Sequence, residues 1–176
     1  MTKFVAFLRG INVGGHTVKM TDLKQSFEEL GFQNIKTILA SGNVVFESSE
    51  DSSKLTPLIE KKLKDRLGFE VNTMLRSADE LQSLIKTDPF KGIAVTPQTR
   101  LYVTFLADKP QSTLEVPYTS PKGDFKILSK SDREIFSVLT ISPEANTTDL
   151  MSIIEKEFGR RVTTRNWNTV VRALAT

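Results

Sequence analysis

Across the first 76 residues, apolar side chains alternate between strand-like and helix-like spacing, and a turn signal marks each change. Few folds accept that order. Residues 3–8 are β-rich and apolar on both sides, and residues 9–19 form a Gly-containing loop. Met20, Leu23, Phe27 and Leu30 then recur at helical spacing, with Gly31 placed to end the helix. Residues 35–40 and 43–47 read as strands joined at Ser41-Gly42, a tight hairpin signal. Leu55, Leu58, Ile59, Leu63 and Leu67 mark a second helix that stops at Gly68. Pro57 suits its first turn and Thr56 its N-cap. Residues 69–75 supply one more strand. The order β-α-β-β-α-β predicts an α+β fold, a ferredoxin-like α/β plait over residues 1–76.

The second half is less regular. Ser77-Ala78-Asp79-Glu80 is a capping-box sequence, and Leu81, Leu84 and Ile85 give the helix behind it an apolar face. Asp88-Pro89 ends that helix, so residues 77–97 read as a bridging helix and linker. Strands are expected over residues 100–107, 125–129 and 134–140, and helices over 148–158 and 165–174. Residues 98–176 are therefore expected to form a second, smaller plait-like α+β domain. No internal repeat is visible in the sequence. In the first domain, Phe4, Ala6 and Leu8 alternate with Val5 and Phe7, so both faces of the first strand are apolar. A sheet with helices on one face needs a cover for the other, from the second domain or another subunit.

Composition removes whole classes of chemistry. The chain has no Cys and one His, which excludes disulfides, thiolate metal sites, Cys nucleophiles and any site needing two His from one chain. Its 24 Lys/Arg and 21 Asp/Glu give +3, spread unevenly. Residues 1–21 contain Lys3, Arg9 and Lys19 and no acid. Residues 158–176 contain Arg160, Arg161, Arg165 and Arg172 and no acid. No signal-peptide pattern or membrane-length apolar run is present, so a cytoplasmic protein without membrane partners is expected.

Five sequence segments carry a family resemblance. They are Arg9-Gly10-Ile11-Asn12-Val13-Gly14-Gly15, Leu39-Ala40-Ser41-Gly42-Asn43-Val44-Val45-Phe46, Arg76-Ser77-Ala78-Asp79-Glu80-Leu81, Asp88-Pro89-Phe90 and Thr164-Arg165-Asn166-Trp167-Asn168-Thr169. In this order they resemble the bacterial domain-of-unknown-function family sixteen-ninety-seven. The resemblance implies a two-part α/β plait protein, and it implies no catalytic residue.

The Gly loop is one residue from a phosphate-binding G-x-x-x-x-G-K-[ST] motif, with His16 where the Lys belongs. A neutral imidazole does not replace a permanent cation there, and a hairpin-rich order contradicts the parallel sheet of a P-loop NTPase. A looser anion cradle, built on backbone N–H groups of Gly14 and Gly15, remains open. The candidate ligand set is Arg9, Asn12, Gly14, Gly15, Lys19, Arg165, Asn166 and Arg172, with Ser41, Asn43 and Asn168 as weaker members. Trp167, Val170, Val171 and Leu174 fall on one helical face and read as core, with Arg165, Asn168 and Arg172 on the solvated side. The third strand lacks the paired aromatics of an RNA-reading sheet. The expected function is binding of a phosphate-bearing or other anionic ligand, a nucleotide or nucleic acid, where the Gly loop meets the C-terminal helix. The second reading is a non-catalytic interaction module, a homo-oligomer or a small-molecule sensor. No catalytic residue, metal ligand set or cofactor is assigned.

Overall fold

The first strand, β1 (Thr2–Arg9), is the axis on which one half of the chain is assembled. The fold is known from a computed structural model, which describes residues 1–12, 15–38, 42–145 and 147–176. It is a mixed α+β protein with two antiparallel sheets and five helices among the described residues. The chain divides into two units, Met1–Ser83 with Val171–Thr176, and Leu84–Val170. The last six residues, expected in the second domain, therefore group with the first unit. Lys3 Nζ donates to the Leu174 carbonyl at 3.2 Å.

In the first unit, β1 is followed by α1 (Met20–Glu29), β2 (Gln33–Ile38), β3 (Asn43–Ser48), α2 (Ser52–Leu67), β4 (Asn72–Ser77) and α3 (Ala78–Lys86). The sheet order is β2-β3-β1-β4. Leu23 and Phe27 of α1, and Leu55, Ile59 and Leu63 of α2, pack on Phe4, Ala6, Leu8, Val44 and Phe46. Each such large apolar side chain contributes roughly 1.5–3 kcal/mol on burial. α2 starts a turn before the expected Thr56 cap, because Asp51 Oδ1 accepts from the Ser53 N–H at 2.9 Å. Pro57 consequently lies inside the helix rather than in its first turn. The capping box before α3 forms reciprocally: Ser77 N–H donates to Glu80 Oε2 (2.7 Å), and Glu80 N–H to Ser77 Oγ (3.1 Å). The opposite face of the sheet, with Val5, Phe7, Val45 and Met74, is buried within the single chain together with Arg76.

The second unit contains β5 (Thr99–Leu106), β6 (Tyr118–Thr119), β7 (Phe125–Lys130), β8 (Glu134–Thr140), α4 (Thr147–Phe158) and β9 (Val162–Asn166). Its sheet order is β6-β7-β8-β5-β9. α4 buries Leu150, Ile154 and Phe158 against Leu106, Ile127, Ile135 and Leu139. A final helix, α5 (Trp167–Ala175), crosses from this unit into the first. β9 differs from expectation, since residues 165–174 read as one helix. Val162-Thr163-Thr164 is a β-branched run, and pairing with β5 extends it through Asn166. On α5, Val170 and Ala173 are the fully buried positions, while Val171, expected in the core, is 41% exposed. Trp167 meets the rings of Phe90 and Phe136 edge to face, at 5.5 and 5.8 Å.

The two units share one strand arrangement, which the sequence does not display as a repeat. Phe4-Val5-Ala6-Phe7-Leu8 of β1 corresponds to Tyr102-Val103-Thr104-Phe105-Leu106 of β5. Val5 lies opposite Val45 and Arg76, and Val103 lies opposite Phe136 and Arg165. Leu8 N–H donates to the Gly42 carbonyl and Leu106 N–H to the Arg133 carbonyl, both at 2.9 Å. Strands β7-β8-β5-β9 therefore follow the order of β2-β3-β1-β4. Where the first unit has α1, the second has an irregular stretch ending in β6.

Candidate functional site

Three connections meet where β1 leaves the first sheet. Antiparallel pairing of β1 with β3 puts Phe7 opposite Asn43, so the β2–β3 turn lies at the same end as the Gly loop. A Cβ on Gly42 would stand 3.2 Å from Ile11 Cβ and from Leu8 Cβ. On the other side, a Cβ on Gly10 would meet the Glu70 carbonyl oxygen at 3.5 Å, and the His16 ring stacks on Phe69 at 4.0 Å. Gly loop and hairpin turn are thus neighbours, as the weaker candidates Ser41 and Asn43 required. Ser41 itself lies outside the described residues. Asn43 is fully buried, and its Nδ2 donates to the Ile38 carbonyl at 2.8 Å, which closes the hairpin.

Inside the loop, Asn12 organises the backbone. It adopts a φ of 58°, a left-handed conformation that Asn tolerates better than most residues. Its N–H donates to the His16 carbonyl at 2.7 Å, and its Oδ1 accepts from the Val18 N–H at 2.8 Å. Thr17 N–H turns back to the Gly15 carbonyl at 3.2 Å. The N–H groups of Asn12, Thr17 and Val18 are therefore spent within the loop. Gly14 lies outside the described residues; Gly15, His16 and Lys19 are exposed, and Arg9 is half-buried. Lys19 occupies the N-cap of α1 in an extended conformation with no side-chain cap, and the helix closes only at Leu23 N–H to the Lys19 carbonyl. An uncapped helix start presents N–H groups and the positive end of its dipole.

The C-terminal candidates are divided between the units: Arg165, Asn166 and Asn168 belong to the second, Arg172 to the first. Arg165 is on β9, not on a solvated helix face, and only 7% of it is exposed. Its Nη1 donates to Thr163 Oγ1 and to the Thr164 carbonyl, and burial pushes its pKa down to about 10. Asn166 ends β9 and is exposed, as are Asn168 and Arg172 on α5. Arg172 lies beside Leu174, whose carbonyl is bound by Lys3 at the start of β1. Arg9 is six residues along that strand, roughly 20 Å away. Arg172 and the Gly loop therefore occupy opposite ends of β1. Among the described residues, no group of three or more His, Cys, Asp or Glu could hold a metal ion, and no helix is long and apolar enough to cross a membrane.

The family described as "Protein of unknown function (DUF1697)" matches residues 1–136. The chain belongs to that family. The matched span holds four of the resemblance segments and stops before Thr164-Arg165-Asn166-Trp167-Asn168-Thr169. Among solved structures, a conserved bacterial protein, SP0830 from Streptococcus pneumoniae, is similar at a TM-score of 0.73 and 20% identity. The match covers 99% of this chain and 97% of that one, and it concerns the fold alone. No curated protein matches.

Two clefts of this DUF1697 chain escaped the sequence reading, both in the second unit. One, of about 300 Å³, is lined by residues that include Lys109, Glu157, Arg160 and Arg161. The other, of about 310 Å³, is lined by residues that include Tyr118, Phe125 and Ile153 together with Asp124 and Asp149. The Ser120 hydroxyl donates to Asp124 and holds its carboxyl below the usual range. Clefts of this kind are assembled from separate segments, so no linear motif announces them. The acid-free run with Arg160 and Arg161 was the one available signal.

Proposed function

We propose that this chain is a binding protein for a phosphate-bearing or other anionic ligand, held at the loop end of β1. The observation that carries the reading is the start of α1, which opens from the Gly loop without a side-chain cap and with Lys19 at its N-cap. Such a start favours an oxyanion, and exposed Gly15 allows close approach of the backbone. Arg9 supplies further charge, and Asn12 shapes the loop rather than touching the ligand. Arg165 and Arg172 play no part in this version, the first because it is buried and the second because it lies at the far end of β1. We read both units as α/β plaits and the protein as cytoplasmic; the repeated strand order supports the first of these.

Amide NMR with inorganic pyrophosphate tests the site. Saturable shifts are expected at Gly15, Lys19, Met20 and Thr21, reduced about tenfold in apparent affinity by the Arg9→Ala/Lys19→Ala pair. Absence of shifts at these amides sinks the reading. If the ligand is a nucleic acid, affinity must also fall steeply between low and high salt.

The small-molecule sensor reading gains one observation, the cleft of about 310 Å³ beside Tyr118 and Phe125, which is large enough for a small ligand.

A further inference from the structure

We propose a second oxyanion site, in the second unit, at the end of β5 that corresponds to the loop end of β1. It stands on its own residues and does not depend on the first site being occupied. The cleft there measures about 300 Å³ and is lined by Asp108, Lys109, Gln111, Glu157, Arg160 and Arg161, among others.

The backbone explains why these cations converge. Gly159, at a φ of 89°, ends α4 by donating its N–H to the Glu155 carbonyl at 2.9 Å. The chain then turns directly into Arg160 and Arg161. Ala107 N–H donates to the Arg161 carbonyl at 3.0 Å, which fixes the start of the 107–111 stretch beside them. In the first unit the corresponding places are Gly68, where α2 ends, and the Gly loop after β1.

The acids in the cleft already have partners, and the ion pair among them is long and exposed. Arg161 Nη1 lies 3.4 Å from Asp108 Oδ2, with both side chains about half exposed or more. Lys109 Nζ lies 3.8 Å from Asp132 Oδ2, also exposed. Glu157 accepts from the Ser112 hydroxyl at 3.2 Å. Arg160 has no ion pair among the described residues. Exposed pairs of this length are worth little. Two adjacent guanidinium groups match the oxygens of a phosphate in a way that a lone ammonium does not. The C-terminal end of α4 carries partial negative charge and opposes a weak anion. The site therefore calls for a multiply charged oxyanion, of the diphosphate class, in preference to a monocarboxylate.

The test is a titration of the full chain with inorganic pyrophosphate, followed by backbone amide and Arg side-chain NMR. Saturable shifts at Asp108, Lys109, Gln111 and residues 157–161 are expected in the wild type and in Arg9→Ala/Lys19→Ala. Arg160→Ala/Arg161→Ala should weaken them at least about tenfold while leaving shifts at Gly15 and Lys19 intact. An unchanged urea midpoint shows that this variant is folded, and Arg160→Lys/Arg161→Lys should recover part of the affinity. Three results overturn the proposal: no shift at these residues, shifts that survive Arg160→Ala/Arg161→Ala, or equal shifts with acetate at matched ionic strength. Loss of shifts at Gly15 and Lys19 alone overturns only the first site.

Discussion

Gly42 and Gly15 share a left-handed backbone, with φ of 87° and 83°, but not a surrounding. A Cβ at Gly15 meets nothing within 4 Å, whereas one at Gly42 meets Ile11 and Leu8 at 3.2 Å. Gly15→Ala should therefore lose only the backbone term, about 1 kcal/mol. Gly42→Ala adds a clash with two core side chains and should lose roughly 2–3 kcal/mol. Urea denaturation of the two variants checks this; equal losses would mean that the turn does not pack on the loop. At this scale the sequence showed which glycines bound the loop. It did not show that Asn12 closes the loop on itself, because that bond joins Asn12 to Val18 across residues with no fixed periodicity. Arg165 was misplaced for a different reason. The helical spacing that begins at Trp167 can be extended backward by two residues without breaking the pattern, and only pairing with Val103 reveals the strand.

Elements with strong local signals were the legible ones. The capping box at Ser77 and Glu80 forms as read, because both partners lie within one turn. Asp51 belongs to the same class but was passed over, since Thr56-Pro57 also resembles a helix start. It accepts from both the N–H and the hydroxyl of Ser53, and these bonds lower its pKa below the ordinary 3.8. A carboxylate whose folded pKa is depressed adds stability that is fully present above its unfolded value and is lost as pH falls through the lowered one. Asp51→Ala should thus melt below the wild type near neutral pH, and the gap should close as pH drops below 3.8. Thermal melts across pH 2–7 check the sign; a gap that widens toward acid would contradict the cap. β9 and β6 lay at the other extreme. Both are short, and both exist because a neighbouring strand offers a ladder, which is a tertiary cause.

For the whole molecule, the repeat was present in the letters, as F-V-A-F-L against Y-V-T-F-L, but five residues of apolar strand recur too easily by chance to be read alone. Register makes it a repeat, by placing Arg76 on β4 and Arg165 on β9 at matching positions, opposite Val5 of β1 and Val103 of β5. The path of the chain end was not legible either. Residues 98–176 read as one domain, whereas Val171–Thr176 group with the first unit. Ala173 is fully buried there, beside exposed Arg172, and Leu174 accepts from Lys3. An aspartate at position 173 would bury an unpaired carboxylate and should cost roughly 3 kcal/mol or more. Arg172→Ala stays at the surface and should cost under about 0.5 kcal/mol. The location of the damage is the sharper readout. Hydrogen exchange in Ala173→Asp should rise first along β1, near Lys3, and less along β5, whereas an end that belonged wholly to the second unit would give the reverse order.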